Sequence, residues 1–324
     1  MTATPAFTAL NRIPTPEKEA RGLFPDKVAH PIISAVRLNS SEMAQSEAPG
    51  TQCVSLERAK TLIANALHAT SEELGARAAE LLNNPARLNL LEVAPGACQM
   101  MRCRASLLSA EDVEKSHDAL KAIGIEPPAP EALREEFRQF DNPEDYAVID
   151  YEYDGTLDGL VYLAHELGHA LADDLQREAG FTHRDNPGHI EEVQAYIIQH
   201  AVYQHLTCNP SINSDLADAA EAHYTHTLRE QVHTFARHAS GSPDLHYRPI
   251  SFILAGTLFN VASQSRATAD QELLLGTLGS RGPKSADALT VEAGLGDPQH
   301  LFDAVSAFIY STPTQNHEFT TLSV

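Results

Sequence analysis

The pentapeptide His165-Glu166-Leu167-Gly168-His169 sits inside a run of helical period and constrains this chain more than any other feature. Leu160, Leu163, Ala164, Leu167, Leu171 and Leu175 recur as one apolar stripe, so the run is an amphipathic helix. On a helix, positions i and i+4 lie about 40° apart in projection. Both imidazoles therefore project from one side, offset from the stripe, and can reach one metal ion. Glu166 stands beside them, the right residue type to hold and deprotonate a metal-activated water. The fold must bury one face of this helix and leave another accessible to a ligand.

Histidine usage supports metal or proton chemistry in the same region. Eleven of the 16 histidines fall between positions 165 and 246, where an even spread gives about four. Of these, His223, His226 and His233 share one long helix, either lining a cleft or facing solvent. The formal charge of −21 repels phosphate backbones and anionic lipid, which argues against nucleic-acid and membrane-surface partners. No apolar run approaches the length of a membrane span. The four cysteines, Cys53, Cys98, Cys103 and Cys208, form neither a disulfide framework nor a CxxC metal knuckle, so reduced thiols are expected. The first 30 residues lack the charged head and apolar block of a secretory signal. The expected location is cytoplasmic, or outside the cell by a non-Sec export route.

Four regions follow along the chain. Residues 1–50 read as a flexible leader rich in Ser, Thr, Pro and Ala, with short ordered pieces around Ala29–Val36. Residues 51–142 read as a helical N-terminal region, with stripes through Leu56, Ala59, Ile63, Ala66 and Leu67 and through Leu74, Ala78, Leu81 and Leu82. Further helices are expected after Ser109 and over Glu131–Phe140. Residues 143–310 form the catalytic region, opened by a strand over Tyr146–Tyr151 and otherwise helical. Its later helices carry Ile190, Val193, Ile197, Ala201 and Val202, then Leu216 to Phe235, Phe252 to Val261 and Leu301 to Ile309. Residues 311–324 are a tail. The expected fold class is mainly α (α+β, zincin-like), a helical metallopeptidase core with a small β element before the HExxH helix.

Zinc held by two histidines needs a third protein ligand and one position left for water. A third histidine six residues on is excluded, because position 175 is Leu and position 172 is Ala. A glutamate on the following helix is the remaining common choice. Glu191 and Glu192 lie 22 and 23 residues beyond His169, after the Asn186-Pro187-Gly188 break. Either can flank the buried side marked by Ile190, Val193 and Ile197, and periodicity favours neither. His200, with Tyr196 midway from Glu192, forms a stripe able to support the ligand. Asp173 and Asp174 either orient an imidazole or belong to a solvated helix end.

The run Leu163-Ala-His-Glu-Leu-Gly-His-Ala-Leu171, then Arg177, then Ile190-Glu-Glu-Val193, resembles the oligoendopeptidase and thimet oligopeptidase family of gluzincins over residues 160–200. The resemblance implies Glu192 as third ligand beside His165 and His169, Glu166 as general base, and a mostly helical fold with a deep cleft. His246-Tyr247-Arg248-Pro249, followed by Phe252–Gly256, is similar to a family segment that stabilises the oxyanion, which implies His246 and Tyr247 in that role. Ser251 and Phe252 stand where the family carries further tyrosines.

The function expected from these residues is zinc-dependent (Zn2+) hydrolysis of peptide bonds in a peptide or protein substrate. Two other classes are compatible with them. One is an exported bacterial effector whose metalloprotease core targets one host protein, suggested by the Thr/Pro-rich leader. The other is a non-catalytic scaffold that binds zinc only structurally.

Overall fold

The computed structural model describes residues 31, 32, 34, 52–94, 101–103, 149–181, 188–239, 247–264, 268–282 and 284–310. The helices expected after Ser109 and over Glu131–Phe140 lie outside these residues, as do the tail and nearly all of the leader. Of the leader, Pro31, Ile32 and Ser34 are helical, and Ile32 is fully buried in the core.

Two short helices open the described chain, α1 (Leu56–Thr70) and α2 (Glu72–Leu82). Each buries one apolar stripe, Ala59, Leu62, Ile63, Ala66 and Leu67 on α1 and Leu74, Ala78, Leu81 and Leu82 on α2. Three strands follow: β1 (Leu88–Glu92), β2 (Met101–Cys103) and β3 (Ile149–Tyr153). β3 is central, parallel to β1 in the register Leu88↔Ile149 and antiparallel to β2 in the register Cys103↔Ile149. The observed strand runs two residues past the expected end at Tyr151. Ile149, Tyr151 and Tyr153 are all buried, and that period of two is what a sheet face requires.

A tight turn converts β3 into α3 (Leu157–Glu178), the helix that carries the pentapeptide. Gly155 takes a positive φ of 74° there, a conformation that favours glycine, and its carbonyl accepts from Val54 N–H at 2.7 Å. Thr156 caps the helix through its side chain, accepting from Gly159 N–H at 3.0 Å. Asp154 in turn accepts from the Thr156 hydroxyl at 2.6 Å. The Tyr151 hydroxyl donates to Gly159 O at 2.7 Å, so strand and helix start are bolted together.

Six more helices complete the described chain: α4 (Gly188–Cys208), α5 (Ser214–Ala239), α6 (Tyr247–Gln264), α7 (Thr268–Thr277), α8 (Ala286–Glu292) and α9 (Pro298–Tyr310). α4 is the hub, packed by α3, α6, α1 and α5. Every residue from Glu192 to Tyr203 is buried, as expected of a helix enclosed on all sides. One apolar cluster runs from Ile32 and the α1–α2 pair through α9. The sequence pattern did not single out α7 and α8. The fold class is mainly α with a small three-stranded sheet. No described helix is long and apolar enough to cross a membrane.

The C-terminal half of α3 is not solvated. Asp173 and Asp174 are both buried. Asp174 takes two bonds from Arg87, at 2.8 and 2.9 Å, and Asp173 accepts from Arg177 Nε at 2.8 Å. On α5, His233 faces solvent, while His226 and His223 are half-buried. His223 Nε2 donates to Asp158 at 3.1 Å while Nδ1 accepts from the Tyr203 hydroxyl at 2.6 Å. That chain of bonds ties α3, α4 and α5 together.

Candidate metal centre

Along α3 the leucines at 160, 163, 167 and 171 are wholly buried. His165 is buried as well, while Glu166 and His169 are half-buried on the adjoining face. The two imidazoles meet edge to face with ring centroids 5.0 Å apart. α4 crosses α3 at the glycine of the pentapeptide: a β-carbon on Gly168 would lie 2.6 Å from Ala195 Cα. Only a residue without a side chain permits so close an approach. The crossing lowers the start of α4 onto the histidines. Glu192, three residues before Ala195, brings its Oε2 to 3.4 Å from His165 Nε2.

His165, His169 and Glu192 thus each offer one ligand atom, all within 4.8 Å of one another. Glu191 is not part of this group. The donor set suits a metal ion on three counts. Two imidazoles and a carboxylate are a known zinc combination, and bonds of about 2.0–2.1 Å in a tetrahedron put ligand atoms about 3.4 Å apart. That is the His165–Glu192 spacing. Next, Glu192 Oε2 is a buried atom that makes no hydrogen bond, the kind of acceptor that a bound ion satisfies. Finally, the protonation states match. Burial, with His165 nearby, holds the His169 imidazole down at about 4. Burial alone pushes the Glu192 carboxyl up, but the approach of His165, then the charge of His169 and, last, that of Arg248 outweigh it and bring the group to about 2. A neutral imidazole and an ionised carboxylate are the forms that ligate.

Glu191 has the opposite character. Burial, then the charges of Glu192 and Asp173, raise it to about 8. The neighbouring glutamates differ because the helix brings Glu192 against the histidines and leaves Glu191 outside that group.

Tyr196, one turn after Glu192, lays its ring 4.6 Å from that of His165 and is backed by Phe252 at 5.2 Å. His200, at the far end of the same stripe, is fully enclosed by Phe252, Tyr224 and Phe308. Its Nε2 donates to Phe252 O at 3.2 Å, so it braces α4 against α6. Of the two residues expected to stabilise an oxyanion, His246 lies outside the described residues. Tyr247 is the first residue of α6, and its side chain also lies outside the described part. The next residue, Arg248, brings its Nε to 3.6 Å from Glu192 Oε1, which puts the first turn of α6 beside the metal-ligand group. In the sequence, Arg248 stands out only as a member of the His246–Pro249 segment. No spacing rule could have linked it to Glu192.

No family model matches the chain, and no curated protein does. Among solved structures, a crystal structure from Chlamydophila abortus described as a "putative peptidase" shares the fold, with a TM-score of 0.60 at 12% identity over 90% of this chain and 56% of that one. The chain spans little more than half the length of that protein.

Proposed function

We propose that this chain is a zinc-dependent peptidase of the gluzincin type, resembling the oligoendopeptidase and thimet oligopeptidase family. The observation that carries the reading is the meeting of two imidazoles from α3 with a carboxylate from α4, with Glu166 next in sequence to the first imidazole. The fold shared with a protein described as a peptidase supports it.

His165, His169 and Glu192 would hold the ion. When bound, zinc supplies Lewis-acid chemistry, polarising a carbonyl and acidifying a water near neutral pH. Glu166, next in sequence to one ligand and three residues before the other, is the group on α3 that accepts a proton from the attacking water and delivers it to the leaving amine. Tyr196 fixes the plane of His165 by edge contact. Leaving Glu166 and His169 only half-buried gives a peptide access to the proton acceptor.

The test is metal content by mass spectrometry, paired with hydrolysis of a peptide library. Wild type and Glu191→Gln should carry one zinc per chain and Glu192→Gln should lose it. Glu166→Gln should keep the ion while hydrolysis falls by about 100-fold or more. Undiminished hydrolysis by Glu166→Gln would remove the proposed mechanism, and zinc binding without turnover in wild type would leave a structural zinc scaffold.

A further inference from the structure

Helix α3 is nearly sealed. Sixteen of its first 20 residues, Leu157 to Gln176, are buried, and the four that are not are Asp158, Tyr162, Glu166 and His169. Spacings of four, four and three keep these residues within about 80° of the helix circumference. They form one strip, about 16 Å long at 1.5 Å per residue. At one end stands His169 of the metal-ligand group, preceded by Glu166, the proton acceptor of the peptidase reading. Asp158 and Tyr162 continue the same strip away from that chemistry. Two other helices border it: His223 of α5 meets Asp158 at 3.1 Å, and Arg248 of α6 lies 3.6 Å from Glu192, near enough for its charge to act on Tyr162. The strip is a flanked track that leads to the ligand group.

Tyr162 is the odd member. Every leucine of α3, and Val161, is at most 3% exposed, whereas Tyr162 is 39% exposed. The other exposed large apolar side chains of the described residues, Leu91, Phe181, Val291 and Tyr310, all lie outside α3. A helix side that served only to meet water would carry charged or short polar groups. An aromatic ring set among three polar residues, one turn before Glu166, is a surface on which an incoming apolar side chain can pack. One turn is about 6 Å along the axis, and an extended peptide advances about 3.3 Å per residue. A peptide laid along the strip with its scissile bond at Glu166 therefore sets the residue about two positions away over the Tyr162 ring.

We propose that Tyr162 is a specificity-determining residue, its ring packing against an aromatic or large apolar side chain of the peptide about two residues from the bond to be cut. The inference rests on the peptidase reading for its substrate class, but the contact is measurable without turnover.

The experiment uses the full zinc-loaded chain and a set of eight-residue peptides of Ala, Gly and Ser, in which one Phe is moved through every position, beside the parent without Phe. Affinities are read by calorimetry on the Glu166→Gln protein, and the position of cutting is read by mass spectrometry with Glu166 intact. Phe peptides should bind about tenfold more tightly than the parent, the size of one aromatic contact, and the cut should fall at a fixed distance of about two residues from Phe. The Phe advantage should vanish in Tyr162→Ala and persist in Tyr162→Phe, which keeps the ring. A tyrosine with a purely structural role would shift parent and Phe peptides together, so the ratio of affinities is the decisive readout. No binding of any peptide, equal affinity for all, an advantage that survives Tyr162→Ala, or cutting with no fixed distance from Phe each overturns the proposal. A ratio that depends on the Tyr162 ring, with no hydrolysis by the Glu166 protein, would leave the contact standing and sink the peptidase reading alone.

Discussion

Replacing Gly168 by alanine tests whether the crossing of α3 and α4 sets the spacing of the metal ligands. The new β-carbon would stand 2.6 Å from Ala195 Cα, 3.1 Å from Ala195 O and 3.2 Å from Ile198 Cγ1. Carbon pairs settle at about 3.5–4.0 Å, so the helices must part by roughly 1 Å at this point. The first two neighbours are backbone atoms, which cannot swing aside. Overpacking of this size costs about 1–3 kcal/mol, and the better helix propensity of alanine returns about 1 kcal/mol. The net loss of stability is therefore about 0–2 kcal/mol, small enough to leave the protein folded. The ligand group is less tolerant: His165 Nε2 and Glu192 Oε2 are 3.4 Å apart, already the separation that a tetrahedral ion of about 2 Å bonds demands. Widening by roughly 1 Å forces one ligand off its ideal position, and zinc affinity should drop about 10- to 100-fold, as when groups that orient ligands are removed. Competition titration against a chromophoric chelator measures the affinity, and thermal unfolding of the metal-free protein reports the fold. A folded Gly168→Ala protein with wild-type zinc affinity would show that the α3–α4 contact does not set the ligand spacing.

Two further outcomes follow from buried charges elsewhere in the fold. Burial lowers the His200 imidazole to about 4, against about 6.5 in an unfolded chain. The unfolded state then binds the extra proton first, so stability is complete above about pH 6.5 and falls as pH drops toward 4, by about 3 kcal/mol in all. Urea midpoints measured across that window for metal-free wild type and His200→Gln should converge with falling pH, and parallel curves would contradict the assignment. Asp174→Asn leaves Arg87 with a neutral partner where two charge-assisted bonds of 2.8 and 2.9 Å stood. A loss of about 3 kcal/mol is expected by denaturant titration at neutral pH, and a change below about 0.5 kcal/mol would mean the pair is solvated.

The apolar stripes of α1, α2 and α5 were legible because each of these helices has one wet face, and periodicity reports that contrast; on α3 the accessible side is confined to Asp158, Tyr162, Glu166 and His169 before the last turn. α4 was legible as a helix but not in orientation. It is buried on every side from Glu192 to Tyr203, so nothing in its pattern distinguishes Glu191 from Glu192. The direction it turns is set by the Gly168–Ala195 contact, a property of two helices together. The sheet was half legible: Ile149, Tyr151 and Tyr153 alternate, but Leu88–Glu92 buries only Leu88 fully and finds its partner far along the chain. Asp174 was open to the wrong reading for a similar reason, since its partner lies 87 residues away. Within the site, the pentapeptide is local and announces itself, whereas the approach of Arg248 to Glu192 depends on how α6 meets α4.

The parallel pairing of β1 with β3 has a consequence for how the chain is made. A strand ending at Glu92 waits for one starting at Ile149, and α1 waits for a bed on α4, whose last residue is Cys208. During synthesis the first two helices can therefore cover only each other, and an edge of sheet stays unmatched. Closing such long loops before any reward arrives slows folding and prolongs exposure to neighbouring chains. The amino-terminal helices complete their native contacts only once the central helix has emerged, and that same helix carries the carboxylate that meets the histidine pair.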